Sequence, residues 1–172
     1  MRVDLVNLLD INELMNVYKY ARIRMIEEGN LTQWDNEVIF KEELIHYINQ
    51  GVLYKVIKNN EIVGCFAYIL GGDKAYNIIN GKWLNNNEYI TVHKIMSKYT
   101  KLGIGSFMIN YVKQMMINDN LNDIKIDTHK NNKTMNKFLV NNGFKYCGII
   151  SLNGDFNDEY NLRNGYHFHI SK

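Results

Sequence analysis

Apolar positions recur at helical spacing over residues 11–28, where Leu14, Val17, Tyr18, Ala21 and Met25 follow the i, i+3, i+4 rule. Asp10 or Asn12 is placed to cap the start. Leu44, Ile45 and Ile48 give a second helix near 40–49, stopped by Gly51. The pattern then becomes extended. Residues 52–58 and 62–70 read as two strands around Asn59-Asn60, whose residues tolerate the left-handed turn of a hairpin. A Gly- and Asn-rich stretch over 71–88 predicts an irregular excursion, and 89–97 predicts the next strand. Residues 104–118 carry a strong amphipathic helix through Ile104, Phe107, Met108, Tyr111, Val112, Met115 and Met116. A short strand at 123–128, a helix at 132–142 and a strand at 144–152 follow, and the aromatic tail around Tyr166 and Phe168 predicts a final edge strand. This order predicts one α/β (α+β) domain over 1–172 with a mixed sheet and flanking helices.

Composition narrows the class. Hydrophobic residues are 46% of the chain, enough for a packed core. Twenty basic against 18 acidic residues give a net charge of +2, too balanced to argue for nucleic acid. No apolar run approaches the roughly 18 residues of a membrane span. Cys65 and Cys147 lie in apolar runs and read as small buried hydrophobes; with no secretory signal, a reducing cytoplasm is the expected location. With no proline in the chain, turns rest on Gly, Asn and Asp.

Candidate chemistry begins at Thr100-Lys101-Leu102-Gly103-Ile104-Gly105-Ser106, a glycine turn between a strand and a helix. Such a turn puts free backbone N–H groups at the positive end of the helix, and glycine lets an anion come close. Lys101 adds a cation. Alone, a Gly-x-Gly fits an ordinary strand-to-helix turn at least as well. A Walker loop needs Lys-Ser/Thr after its last Gly, and a dinucleotide fingerprint needs a third Gly where Met108 stands; both fail.

Thirty residues on, Asp127-Thr128-His129 ends a strand, Asn132 opens a helix, and Gly143-Phe144 closes it. Together with the glycine turn these motifs resemble those of the GNAT family of N-acetyltransferases. Gln33-Trp34 and His93-Lys94 extend the resemblance to a bacterial subgroup, so it covers most of the chain. It implies a mostly antiparallel sheet whose fourth and fifth strands splay to admit acetyl-CoA. It also implies cofactor contacts from Ile95 or Met96, from the turn residues Lys101, Leu102, Gly103, Ile104, Gly105 and Ser106, and from Asn132, Met135 and Phe138. Thr100 replaces the family's Gln/Arg, and Leu139 stands where many members carry an acidic Tyr.

The implied reaction is transfer of an acetyl group to a small-molecule or peptide amine by direct attack. It needs a carbonyl-polarising backbone N–H on the strand at 89–97 and a base. His93, His129, Asp127 and Tyr146 are the candidates; for each histidine a packed or hydrogen-bonded ring is the plainer reading. Strand alternation would put residues 93, 95 and 97 on one face and Lys94 with Met96 on the other. Glu27, Glu28 and Asp35 could attract a cationic amine or simply form a solvated face. His167 and His169 lack the further ligands a metal needs, and no metal is expected. The alternative is a non-catalytic module of the same fold, binding acyl-CoA or a protein partner. Resemblance places the acceptor site between the N-terminal helices and the 71–88 loop and allows a homodimer.

Overall fold

The helical periodicity of the N-terminal third materialises as α1 (Ile11–Glu27) and α2 (Glu37–Asn49) in a computed structural model describing residues 1–171. Asn36 starts α2 by accepting from the Val38 and Ile39 N–H groups at 3.0 and 3.1 Å. The hairpin follows as β2 (Leu53–Lys58) and β3 (Glu61–Leu70), with Asn59 and Asn60 both at positive φ. After the excursion come β5 (Ile90–Ser97), α3 (Ile104–Asn118), β6 (Asp123–Thr128), α4 (Lys133–Asn141), β7 (Lys145–Ser151) and β8 (Leu162–His169).

Two further strands complete one eight-stranded sheet: β1 (Arg2–Leu5) and β4 (Asn80–Gly81). The order is β1-β2-β3-β5-β6-β8-β7-β4. Every neighbouring pair is antiparallel except β5 and β6, which are parallel. β1 is four residues of mixed polarity, too short to show a period. β8 is not an edge strand, as its position in the sequence suggested. It lies between β6 and β7, with both of its edges paired along most of its length. β1 and β4 form the edges instead.

Helices cover both faces of the sheet. Ile62, Cys65, Ala67 and Met96 pack with Leu14, Val17, Phe40 and Leu44 of α1 and α2. Val63, Phe66, Ile90, Val92 and Ile124 pack with Ile109, Val112 and Met116 of α3 and Leu139 of α4. The excursion over 71–88 is anchored rather than loose. Tyr76 and Trp83 pack with Cys147 and Ile150 of β7, and the Trp83 indole donates to the Tyr76 carbonyl at 2.9 Å. Among the described residues no helix is long and apolar enough to cross a membrane.

Alternation fails inside β5. Cys65 faces Met96 while Ala67 faces His93, so Lys94 and Ile95 together oppose Phe66. This is a β-bulge, and Lys94 takes φ of 54° to make it. Val92 and Ile95 consequently pack on the α3 side, while His93, Lys94 and Met96 lie toward α2. The strict two-residue repeat had separated His93 from Lys94; the bulge puts them side by side.

Gly81 and Gly148 cross so closely that a Cβ on Gly148 would lie 2.3 Å from the Asn80 carbonyl oxygen, at φ of 139°. We expect Gly148→Ala to cost about 1–3 kcal/mol from backbone strain, with the clash added. Gly154→Ala, at φ of 84° in open space, should cost about 1 kcal/mol. Chemical denaturation of the two variants checks the order.

Candidate active site

β5 and β6 are paired only at Ile90–Ile124 and Thr91–Lys125. Beyond Thr91 the outer edge of β5 has no strand beside it, although its other edge stays paired to β3 as far as Ser97. Two cavities open at this parting, and they share Ile95, Asn132 and Met135 in their walls.

The smaller, about 170 Å³, runs along Met96, Thr100, Gly105, Met108 and Phe138. Its head is the glycine turn. Lys101 and Gly103 are left-handed, at φ of 59° and 72°, and Gly103 is the N-cap of α3 with no side chain bonded to the helix end. The first hydrogen bond of the helix is Phe107 N–H to the Gly103 carbonyl at 2.9 Å. The N–H groups of Ile104, Gly105 and Ser106 therefore precede the helical ladder and are available to an anion. Ile104 points its side chain into the core, while Lys101, Leu102 and Ser106 are surface residues of the turn. Gly105 has a second reason to be glycine, since a Cβ there would lie 3.0 Å from the Phe138 ring.

α1 closes this groove from the other side. Arg24 donates to the Lys98 carbonyl at 3.0 Å and to the Ser97 carbonyl, tying the end of β5 to the helix. Burial lowers its guanidinium from the ordinary value. Glu28 accepts from the Thr134 N–H at 3.1 Å and from the Thr134 hydroxyl, at the first turn of α4. That carboxylate is committed to the fold and lies along the smaller cavity, so it serves neither as an amine attractor nor as a purely solvated charge, the two readings the sequence offered.

The larger cavity, about 470 Å³, opens between α2, the excursion and β6. His93 sits at its centre, stacked on Tyr47 with ring centroids 6.4 Å apart. Its Nε2 lies 3.3 Å from Asp73 and its Nδ1 3.9 Å from Asp127. The nearby His93 ring holds the Asp73 carboxyl below its ordinary value. Asp127 accepts from the Tyr76 hydroxyl at 2.7 Å. Tyr47 is pushed up to about 12, first by burial and then by Glu43, Asp73 and Asp127, so it is a neutral phenol. Lys94 pairs with Glu43 at 2.6 Å, with its ammonium 4.9 Å from the centre of the Phe40 ring. Arg163 is spent on the carbonyls of Tyr160 and Leu162, both at 2.8 Å. At the rim, the Tyr160 hydroxyl donates to Asp35 at 3.2 Å.

The sequence-derived candidates separate clearly. His93, Asp127, Ile95 and Asn132 converge on the parting; Met96, Gly105, Met135 and Phe138 line the groove beside it. His129 and Tyr146 line neither cavity. His129 is buried, and its Nδ1 accepts from the Asn131 N–H at 3.1 Å, so it shapes the turn before α4. Tyr146 stands exposed on β7 with its ring edge-on to Tyr166. Asp73, Tyr47, Tyr160 and Arg163 were not singled out from the sequence. They come from three separate segments, and nothing in local spacing links them to His93.

The chain matches the family model described as the acetyltransferase (GNAT) family over residues 10–144. It is similar in structure to a GNAT-family acetyltransferase from Streptococcus agalactiae, at 26% identity, TM-score 0.82, and coverage of 99% of this chain and 96% of the other. A GNAT-family acetyltransferase from Listeria monocytogenes matches at 16% identity and TM-score 0.68, covering 98% and 94%. The PaiA N-acetyltransferase of Thermoplasma acidophilum, crystallised with coenzyme A, matches at 15% identity and TM-score 0.66, covering 98% of each chain. The last two likenesses speak to the fold.

Burial lowers the imidazoles of His129 and His167 from their ordinary value. A histidine held neutral in the fold contributes stability that is complete above its unfolded value, about 6.5, and is lost as pH falls toward the folded value. Melting temperature should therefore decline from about pH 6.5 downward, before most carboxylates protonate. His129→Asn should flatten that decline, measured by scanning fluorimetry between pH 8 and 5.

Proposed function

The chain belongs to the GNAT acetyltransferase family, and we propose that it moves an acetyl group from acetyl-CoA to a primary amine held in the larger cavity. Acetyl-CoA is the family's acyl donor, and here it would supply an acetyl thioester already activated for attack. The uncapped first turn of α3 and the groove along Met96, Thr100 and Phe138 fit its pyrophosphate and its extended arm. The single observation that carries the reading is the meeting of the two cavities at Ile95, Asn132 and Met135. A donor lying in one and an amine lying in the other come together at the bulge of β5.

His93 is the base in this reading. With Nε2–H turned to Asp73, 3.3 Å away, the Nδ1 lone pair is left to accept a proton. Nδ1 and the Asp127 carboxylate oxygen stand 3.9 Å apart. An amine nitrogen about 2.8 Å from each would hydrogen-bond to both, so Asp127 positions it while His93 takes its proton. Asp73 plays the orienting part that a carboxylate plays beside any catalytic imidazole, fixing the tautomer. Backbone N–H groups on the unpaired edge of β5 near Ile95 and Met96 supply the donors for the carbonyl. Four carboxylates line the cavity (Asp35, Glu43, Asp73 and Asp127) against the cations Lys94 and Arg163, which favours an acceptor that arrives positively charged.

The alternative, a non-catalytic acyl-CoA-binding module, draws on Leu139. It is fully buried in the core and cannot protonate a departing thiolate. A thiol of pKa about 8.5 leaves acceptably as the thiolate, so that absence does not remove the reaction.

Acetyl-CoA at about 100 times its dissociation constant should stabilise the protein by about 2.7 kcal/mol, a rise of several degrees in melting temperature. Gly105→Glu should melt lower and lose the ligand-induced rise, which is the quantity to compare. His93→Gln should keep the rise yet release free thiol roughly 10²–10⁴-fold more slowly with amine acceptors. A rise without thiol release in the wild type favours the binding module. No rise at millimolar acetyl-CoA overturns the acetyltransferase reading.

A further inference from the structure

Gln33 is a buried amide, 8% exposed, in the wall of the larger cavity. Its orientation is dictated from a distance. The backbone N–H of Met135, in the first turn of α4, donates to Asn132 Oδ1 at 3.1 Å. A backbone N–H can only donate, so that atom of Asn132 must be oxygen and its other terminal atom must be Nδ2. Asn132 Nδ2 in turn donates to Gln33 Oε1 at 3.3 Å, and Asn30 Nδ2 donates to the same oxygen at 2.9 Å. Turning the Gln33 amide over would set its NH2 against the NH2 of Asn132, which Met135 fixes. Its Nε2 is therefore fixed as the atom left over, and it has no hydrogen-bond partner among the described residues.

The segment that carries Gln33 is held under strain. Trp34 has φ of 61°, a conformation a bulky side chain rarely adopts. Three bonds to backbone carbonyls enforce it: the Tyr18 hydroxyl to Trp34 at 2.7 Å, and Arg22 to Asn30 and Leu31 at 2.7 and 2.5 Å. Strained backbone and the neighbouring amides hold the side chain in the cavity wall, with the NH2 as the end not used inside the protein and open to solvent.

Resting on the acetyltransferase reading, we infer that Gln33 Nε2 is a specificity-determining donor, and that the acceptor is a primary amine bearing a carbonyl or hydroxyl oxygen. The carboxylates of the cavity meet the charge of the amine; the amide of Gln33 meets the oxygen. An amine without such an oxygen displaces water from the donor and gives it nothing in return, which is the arrangement that rejects an incomplete substrate.

Gln33→Glu isolates the donor. It keeps the shape and an oxygen to accept from Asn30 and Asn132, and it replaces only the free NH2. The probes are a matched set at equal chain length: an n-alkylamine, an amino methyl ether and an amino N,N-dimethylamide, whose oxygens accept but cannot donate, with thiol release giving kcat/KM for each. The wild type should prefer the two oxygen-bearing amines over the alkylamine by roughly tenfold, the worth of one hydrogen bond. Gln33→Glu should lose that preference, with the rise in melting temperature on adding acetyl-CoA retained. A purely structural Gln33 predicts that the preference survives in Gln33→Glu, and that result overturns the inference. So does a wild type with no preference, including one that turns over none of the three. If acetyl-CoA still stabilises the wild type in that case, donor binding stands and only the acceptor inference falls; if it does not, both fall.

Discussion

The pairing of β5 with β6 stops after two residue pairs, and the rest of the site follows from that stop. A strand edge without a neighbour leaves backbone donors and acceptors that something must satisfy. Elsewhere in this sheet the edges are kept to β1 and β4, of four and two residues. At the parting the unpaired edge lies in the middle of the sheet, between layers of helix, where only a bound molecule can replace the missing strand. Its walls are supplied by the bulge at Lys94, which turns His93 and Lys94 toward α2 while Ile95 stays with the α3 layer.

Keeping the strands apart takes as much structure as pairing them would. Arg24 ties the far end of β5 to α1, and Glu28 ties α1 to the head of α4. On the far side of the parting, Asp123 opens β6 as a fully buried carboxylate. Burial would raise it, but four donors hold it below its ordinary value: Asn85 and Asn87 at 2.7 and 3.1 Å, His167 and His169 at 2.8 and 2.9 Å. That knot fastens the end of the excursion to β6 and β8, and the same excursion brings Asp73 to His93. The histidine pair two apart in β8 is thus accounted for as bonding partners of one carboxylate.

Long periodic elements were legible in the sequence because each buries one face with its own residues. α1, α3 and the β2–β3 hairpin need no distant information. The groove was legible for a different reason. The turn at its head demands glycine, in the left-handed Gly103 and against the Phe138 ring at Gly105, so both mark it in the letters. β8 was misread as an edge because strand order is settled by long-range pairing, which leaves no local trace. The acceptor side was only half legible. His93 and Asp127 were visible as titratable groups near the motifs, but His129 looked equally suitable. What separates them is contact: Nδ1 of His129 is consumed by the Asn131 N–H, whereas Nδ1 of His93 faces the cavity and Asp127.

Leu139, where many family members carry a Tyr, belongs to the core and not to a polar site. Leu139 is fully buried and packs with the α3 layer, so its side chain serves the core, and Phe138 beside it closes the groove against Gly105. A phenol in that core would need a partner of its own. The polar work is concentrated instead on the opposite wall, where β5, β6, the excursion and the loop after α1 each contribute one or two groups. Those groups are held by bonds to one another and to backbone, and the two sides touch through Asn132, which caps α4 with its oxygen and fixes Gln33 with its nitrogen. A single amide thus joins the walls of the two cavities, so changing Asn132 would disturb both at once.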